Sequence, residues 1–246
     1  MTMVHGTAIV HPRAKLGKGV EVGPYCLVGE HVTLGAGCKL MAHVVIDGHT
    51  YIGDDNEFHP FAAIGGAPQR RPRHGETRGL RIGSRNVFRE AVTVHVGTQH
   101  DTEIGDEVLL MAGAHIAHDA TIGSFVTIAN GVQIAGHVVV DDYVTFGGLA
   151  GVAQRKRIGE SAFVAAGAMC ERDVPPFVIV QGDRARVRAL NEVGLERRGL
   201  DKEDIEALRV AFRALFVTPR KPVPVSIAAH PLVQRLIASH GVDSER

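Results

Sequence analysis

An apolar side chain returns at every sixth residue through most of this chain. The first run covers residues 4–64, a short second run covers 82–94, and a third run covers 104–170. A period of six fits neither an α-helix, with roughly 3.6 residues per turn, nor the two-residue alternation of one long strand. It fits a short strand and a turn repeated around a triangular prism, with three such units in each coil.

Hexapeptide repeats of this kind predict a left-handed parallel β-helix, which is an exception to the right-handed crossover rule for parallel strands. The repeated apolar residue is expected to point into the prism. A small or β-branched residue at the fifth position of most units fills the remaining inward space. We expect glycine, Asn and Asp next to the corners to supply the permissive backbone that tight turns need.

The repeat ends at Pro175-Pro176, where two prolines indicate the exit from the prism. We therefore predict a left-handed β-helix domain over residues 1–176 and a C-terminal α-helical region over 177–246. Within the prism, the pattern is interrupted near 65–81 and near 97–103, and both interruptions are predicted to be loops.

The helical pattern is expected to begin at about Ala185 and is clearest after Asp201, a candidate N-cap. A last short helix is expected to begin at Pro231. The apolar stripe of the main helix consists of Ile205, Leu208, Phe212 and Leu215.

The amino-acid composition limits the classes of partner that the protein is expected to bind. Its 246 residues include 27 basic and 27 acidic side chains, so no global charge points to nucleic acid. The N-terminus lacks the features of a signal peptide, and no segment reaches the roughly 20 apolar residues of a membrane span. We therefore expect a soluble, cytoplasmic protein without stable membrane insertion.

The cysteines Cys26, Cys38 and Cys170 are expected to be buried thiols.

The segment AHIAHD places His115, His118 and Asp119 around an inward-pointing isoleucine. Because one coil takes three units of six, His118 is expected to stack on Gly136, about 4.8 Å away, beside His137. From the residues alone, this group fits a metal site, a general base with an orienting carboxylate, or histidines on an ordinary surface.

The first interruption is strongly basic. It contains one acidic residue, Glu76, against Arg70, Arg71, Arg73, Arg78 and Arg81. Either a solvated flap or a contact with an anionic group would account for this composition.

Several motifs in order resemble one family. The segments AHIAHD, IAGHV, DVPPFVIVQG and LNEVGLERRG, together with VVIDGHTYIGDDN and TVHVGT, resemble the UDP-N-acetylglucosamine O-acyltransferases that begin lipid A synthesis. The resemblance implies a homotrimer with active sites between adjacent prisms. It also implies acyl transfer from an acyl carrier protein to the 3-hydroxyl of a UDP-sugar, with no cofactor and no metal.

The resemblance also implies roles for individual residues. His118 would be the general base, Asp119 would orient its imidazole, and the amide of Gly136 would stabilise the oxyanion. The implied substrate-binding residues are Gln69, His95, His115, His137, Gln154, Asn191, Arg197 and Arg198.

The chain differs from the family pattern at a few positions where the resemblance implies a substrate contact. These positions are Arg70, Pro72, Ala153 and Val193. These departures leave open another nucleotide sugar, an acyl-CoA donor, or an inactive paralogue that acts as a binding protein. They also predict weaker binding of UDP-N-acetylglucosamine than in typical members. A zinc-dependent carbonic anhydrase on the same prism is less consistent, because its ligand pair is five residues apart and His115 and His118 are three apart.

Overall fold

The structure, a computed structural model, describes residues 1–69, 78–218 and 222–242. Most of the basic first interruption, including Arg70, Arg71, Pro72, Arg73 and Glu76, lies outside the described residues.

Short strands form three sheets that make the three faces of a prism. The first sheet, face A, contains Met3–Val4, Glu21–Val22, Lys39–Leu40, Glu57–Phe58, Val87–Phe88, Leu109–Leu110, Thr127–Ile128, Thr145–Phe146, Phe163–Val164, Val178–Gln181 and Arg186–Leu190. Face B contains Ile9–Val10, Leu27–Val28, Val45–Ile46, Ala63–Gly66, Thr93–His95, His115–Ile116, Gln133–Ile134, Gly151–Val152 and Met169–Cys170. Face C contains Lys15–Leu16, Val32–Leu34, Thr50–Ile52, Leu80–Ile82, Thr102–Ile104, Thr121–Ile122, Val139–Val140 and Arg157–Ile158. The β-helix predicted from the six-residue period is confirmed.

Within the hexad repeat, the strands of each face pair in parallel with the strands one coil away. His115 pairs with Gln133, for example, at the regular interval of one coil. Across the two interruptions the interval is longer, since Ala63 pairs with Thr93 and Thr93 pairs with His115. The pairing on face B therefore continues through both interruptions, and the extra residues of the second interruption lie outside the face B ladder.

The prism interior is filled by the inward side chains of the hexads. Phe58 and Phe88 are fully buried and stack on each other with ring centroids 4.8 Å apart. The cysteines are buried free thiols, as predicted. Burial raises the pKa of Cys26 and Cys38 and raises that of Cys170 to about 11. Each large apolar side chain buried in this way contributes about 1.5–3 kcal/mol relative to exposure.

The corners match the expectation of glycine, Asn and Asp only in part, since Gly113, Gly131 and Asp55 fit it but many other corners carry different residue types. The fourth position of the hexads adopts a left-handed backbone, with φ near +60°, and many of these residues are large. Some of them compensate by stacking on the same corner one coil away. The His43 ring lies 5.0 Å from the Tyr25 ring and 5.1 Å from the Phe61 ring, and Phe125 lies 4.8 Å from Tyr143. Ring stacking offsets part of the backbone strain of the left-handed conformation.

The helical region begins later than expected. Residues Arg186–Leu190, which were expected to be helical, form a strand antiparallel to Val178–Gln181 and extend face A. The reason is packing: Leu190 and Val178 are both buried at this end of the prism. A division of the chain at residue 176 remains a prediction.

Four helices follow in the described part of the chain. They are α1 (Glu192–Arg197), α2 (Lys202–Phe212), α3 (Val225–Ala228) and α4 (Pro231–Val242), with a π-helical turn at Arg213–Val217 after α2. The Asp201 carboxylate accepts a hydrogen bond from the Asp204 amide at 2.8 Å, so the predicted N-cap is confirmed. The predicted start of the last helix at Pro231 is also correct. No helix among the described residues is long and apolar enough to cross a membrane.

Candidate active site

His118 and Asp119 lie at the corner that follows the strand His115–Ile116 of face B. Asp119 has a left-handed backbone with φ of 61°, and His137 occupies the same corner one coil later with φ of 60°. This turn directs both side chains away from the prism interior. The group expected from the AHIAHD segment is therefore present as one cluster.

The two side chains of the AHIAHD segment contact each other directly. His118 Nδ1 lies 2.6 Å from Asp119 Oδ2. His118 is 7% exposed and Asp119 is 1% exposed, so the contact is shielded from water. A carboxylate can only accept this hydrogen bond, so Nδ1 carries a proton, and in the neutral ring the lone pair is on Nε2.

The Asp119 carboxylate is held by the second loop. Its Oδ1 accepts hydrogen bonds from the backbone amides of Thr98, Gln99 and His100 at 2.8, 2.7 and 3.0 Å. Its Oδ2 accepts a further bond from the Thr98 hydroxyl at 2.6 Å. Burial acts to raise the pKa of Asp119, but the hydrogen bonds outweigh it, and the pKa lies well below the usual range. The carboxylate is therefore ionised at neutral pH.

Three further histidines surround His118. The His137 ring lies nearly perpendicular to the His118 ring at 5.2 Å, and its Nε2 is 3.7 Å from Asp119 Oδ2. On the other side, the rings of His95 and His115 lie 4.8 Å apart, and His115 Nδ1 contacts the Thr93 hydroxyl at 2.7 Å.

The surroundings of these three neighbouring histidines favour the neutral form of each. Burial, followed by the charges of His115 and His118, lowers the pKa of His95 to about 4. The pKa values of His115 and His137 are also lowered, mainly by burial. Neutral histidines can both donate and accept hydrogen bonds, which suits them to a polar uncharged ligand.

Gly136 packs against the face of the His118 ring. A Cβ atom at this position would lie 2.7 Å from His118 Cε1, so any larger residue would displace the imidazole. No acceptor within the described part of the chain takes a hydrogen bond from the Gly136 amide. This N–H is therefore available to a ligand.

A cavity of about 540 Å³ opens beside this cluster. The sequence-predicted residues that line it are Gln69, His95, His115, His118, Gly136 and Gln154, and Ala153 lines it too. Ile134, Val152 and Met169 supply an apolar wall. The cavity thus combines a polar end, formed by histidines, with an apolar side.

Three predicted residues lie elsewhere in the protomer. Asn191 is the N-cap of α1, where its side chain accepts from the Gly194 amide and donates to the Ser161 carbonyl. Arg198 pairs with Glu160 at 2.5 Å and lies over the Tyr143 ring at 4.1 Å. These contacts are at the corner that follows face C, whereas His118 is at the corner that follows face B.

Arg197 is an exposed residue at the end of α1. Val193, the departure on the same helix, is 58% exposed. Neither lines the cavity beside His118.

Sequence reasoning missed Thr98. It belongs to the TVHVGT segment, but the segment was matched only as a whole. The signal available was the position of the second interruption, since the loop begins one coil before Asp119 and must pass beside it.

A β-helix of hexapeptide units with a His–Asp pair beside a cavity defines a hexapeptide-repeat transferase. Two family models match the chain. The bacterial transferase hexapeptide (six repeats) matches residues 101–136, and domain 2 of UDP-N-acetylglucosamine O-acyltransferase matches residues 173–239.

Several known proteins are similar to this one over nearly its whole length. The acyl-[acyl-carrier-protein]–UDP-N-acetylglucosamine O-acyltransferase of Herminiimonas arsenicoxydans is 44% identical over 219 residues, covering 88% of this chain and 84% of that protein. The structure of LpxA from Acinetobacter baumannii has a TM-score of 0.89 at 36% identity, covering 98% of this chain and 97% of that one. UDP-N-acetylglucosamine O-acyltransferase from Moraxella catarrhalis has a TM-score of 0.89 at 35% identity, covering 97% and 96%. The chain belongs to the UDP-N-acetylglucosamine O-acyltransferase family and is an acyltransferase.

Proposed function

We propose that this enzyme transfers an acyl group from the thioester of an acyl carrier protein to the 3-hydroxyl of UDP-N-acetylglucosamine. The observation that carries the proposal is the His118–Asp119 pair, joined at 2.6 Å and placed beside a cavity of about 540 Å³. The printed names of the relatives supply the two substrates. The reaction is the first step of lipid A synthesis.

In this proposal His118 is the general base. Asp119 accepts from Nδ1, so the lone pair on Nε2 can take the proton of the sugar hydroxyl. The oxygen then attacks the thioester carbonyl, the carbon–sulfur bond breaks, and the leaving thiolate receives the proton from His118. The buried, ionised Asp119 stabilises the imidazolium while it exists.

The Gly136 amide is proposed to stabilise the oxyanion. It lines the cavity, lies against His118, and has no acceptor within the described residues. A backbone N–H at this place requires no reorganisation when negative charge develops on the carbonyl oxygen.

The remaining cavity residues suit the two substrates. Gln69, His95, His115 and Gln154 are proposed to bind the sugar, with His137 at the edge of the same cluster. The acyl chain would lie against Ile134, Val152 and Met169, which form the apolar wall.

A homotrimer is proposed because one protomer does not bring all predicted residues together. Asn191, Arg197 and Arg198 can reach a sugar nucleotide beside His118 only if a neighbouring prism presents them. A second prism would also close the open side of the acyl site. Light scattering should give a trimer at micromolar concentration, and a monomer would contradict this arrangement.

The alternatives are less well supported. The relatives favour UDP-N-acetylglucosamine and an acyl-carrier-protein donor over another sugar, acyl-CoA or an inactive binding protein. Of the two departures that the structure describes, Ala153 lines the cavity beside His118, while Val193 lies on α1 and does not line it.

The test is a transfer assay that crosses acyl-carrier-protein and CoA thioesters with several UDP-sugars. We expect the highest kcat/KM for the acyl-carrier-protein thioester with UDP-N-acetylglucosamine. His118→Gln should lower kcat by on the order of a hundred-fold or more, while His49→Gln, at an exposed position, serves as the matched control. Comparable turnover by His118→Gln and by the control would place the base elsewhere.

A further inference from the structure

Three side chains of types that can ligate a metal ion lie together beside the candidate active site. The sequence pattern did not indicate them as a group. They are His100, Asp119 and His137, and one ligand atom from each lies within 4.8 Å of the other two. Within residues 1–69, 78–218 and 222–242, no other group of three or more His, Cys, Asp or Glu side chains meets this criterion. His100 is exposed, so an ion can approach from solvent.

The orientation of His100 favours metal binding. Its Nδ1 lies 2.8 Å from the carbonyl oxygen of Asp101. Because a carbonyl only accepts, Nδ1 must carry the proton, and the lone pair is on Nε2. Histidines that bind metals commonly donate their other ring N–H to a backbone carbonyl in this way, which fixes the tautomer.

His137 and Asp119 complete the donor set. His137 Nε2 is 3.7 Å from Asp119 Oδ2, close to the separation of two ligands on one tetrahedral ion. The rings of His100 and His137 are 6.0 Å apart and inclined at 71°, so they approach the same point from different directions. The ionised Asp119 supplies a negative charge that offsets part of the charge of a divalent cation.

Two imidazole nitrogens and one carboxylate oxygen select the kind of ion. This donor set suits Zn²⁺, Ni²⁺ or Cu²⁺, whereas Mg²⁺ and Ca²⁺ prefer oxygen ligands alone. We propose that His100, Asp119 and His137 form an inhibitory binding site for a divalent transition-metal ion, with Zn²⁺ as the probe.

Inhibition follows from the contacts of Asp119. Its Oδ1 accepts three backbone N–H groups, whereas Oδ2 accepts from the Thr98 hydroxyl and faces His137 Nε2 at 3.7 Å, so the ion is placed at Oδ2. Oδ2 is also the acceptor for His118 Nδ1. An ion at Oδ2 competes with that hydrogen bond and removes the group that orients the imidazole. The binding site stands on the geometry alone, and the inhibition rests on the proposed function.

Binding is tested on the full chain after treatment with a chelator and buffer exchange. Zn²⁺ is titrated in competition with a chromophoric zinc indicator, for the wild type and for His100→Ala. We expect one tight site per chain, with affinity at least ten-fold weaker in His100→Ala. The matched control is His49→Ala, which removes an exposed histidine from the stacked pair His31–His49 and should bind Zn²⁺ like the wild type.

Thermal unfolding of the metal-free variants establishes that each is folded. A second variant, His137→Ala, should also weaken binding at least ten-fold. Equal affinity of the wild type, His100→Ala and His137→Ala for Zn²⁺ would overturn the site. This outcome is independent of any transferase assay.

Inhibition is tested separately, with each variant compared to its own rate in chelator. We expect Zn²⁺ to inhibit acyl transfer reversibly, and the half-inhibitory concentration to rise at least ten-fold in His100→Ala but not in His49→Ala. Tight binding at this site with no loss of transfer would overturn the inhibitory role. A wild type that binds Zn²⁺ here but transfers no acyl group even in chelator would overturn the proposed function and the inhibitory role, while leaving the binding site standing.

Discussion

Thr98 donates its hydroxyl hydrogen to Oδ2 of Asp119 at 2.6 Å, from a loop twenty-one residues earlier in the chain. The same oxygen accepts from His118, so the loop that interrupts the hexads holds the carboxylate that orients the imidazole. A regular coil would place a strand or a turn there and offer Asp119 fewer donors. The interruption near residues 97–103 is thus part of the candidate active site.

Thr98→Val should lower kcat about ten-fold and change KM for the sugar little. The substitution removes a hydrogen bond to a charged group, worth about 1.5–3 kcal/mol, and lets Asp119 and His118 rotate. Thr98 does not line the cavity, so ground-state binding is spared. Steady-state kinetics on purified enzyme measures both parameters.

The matched variant is Thr98→Ser, which keeps the hydroxyl and should retain most of the activity. Thr98→Val and Thr98→Ser with the same kcat would show that the side-chain hydrogen bond does not position Asp119.

Ala91→Gly should stabilise the fold. Ala91 is exposed and has φ of 56°, a left-handed conformation that glycine adopts without a steric penalty. We expect a gain of about 1 kcal/mol, or a rise in Tm of about 2–4 °C.

The control for this effect is Ala229→Gly, because Ala229 is exposed but has φ of −82°. It should leave Tm unchanged or lower it, since glycine then only adds entropy to the unfolded chain. A lower Tm in Ala91→Gly than in the wild type would contradict the strain argument.

The hexad rule predicted much of this molecule because each inward position is dictated by burial. Phe58 and Phe88 stack as one coil over the next, and Gly136 lies against His118, as the repeat implied. The rule failed where long-range packing decides. Arg186–Leu190 became a strand because face A offered an unpaired edge, and the large left-handed corner residues rely on neighbours a full coil away.

The contacts that hold the candidate site were also beyond the sequence pattern. The three amides that donate to Asp119 belong to residues 98–100. These residues lie outside the hexapeptide repeat, so the repeat does not predict where their N–H groups point. Arg198 and His118 are also on different corners of the prism in one protomer. The corner that Arg198 contacts depends on where the C-terminal helices pack, which the repeat does not predict.

His95 should make the fold sensitive to mild acid. Its pKa is about 4 in the folded protein, mainly because of burial, against about 6.5 in the unfolded chain. As the pH falls below 6.5, the unfolded state binds a proton that the folded state does not. The stability contribution is therefore complete above pH 6.5 and is lost as the pH falls toward 4.

Thermal unfolding at fixed protein concentration between pH 7.5 and 5 should show this loss, and His95→Gln should reduce it. His115 and His137 shift in the same direction, so part of the slope remains. The control His49→Gln should keep the wild-type slope. An identical slope in His95→Gln would show that His95 does not titrate in this way.

Gly136→Ala should impair the enzyme severely while leaving the prism folded. The new Cβ would lie 2.7 Å from His118 Cε1 and 3.0 Å from Nε2, so the imidazole has to move. A displacement of about 1 Å of a catalytic group can cost on the order of a hundred-fold in rate. The matched control is Gly148→Ala, whose Cβ would meet the Asn130 carbonyl oxygen at an ordinary 3.5 Å and should keep kcat within about two-fold of the wild type. Both variants should unfold at similar temperatures, because neither site lies in the prism interior. If Gly136→Ala turns over as fast as Gly148→Ala, His118 does not act from the position seen here.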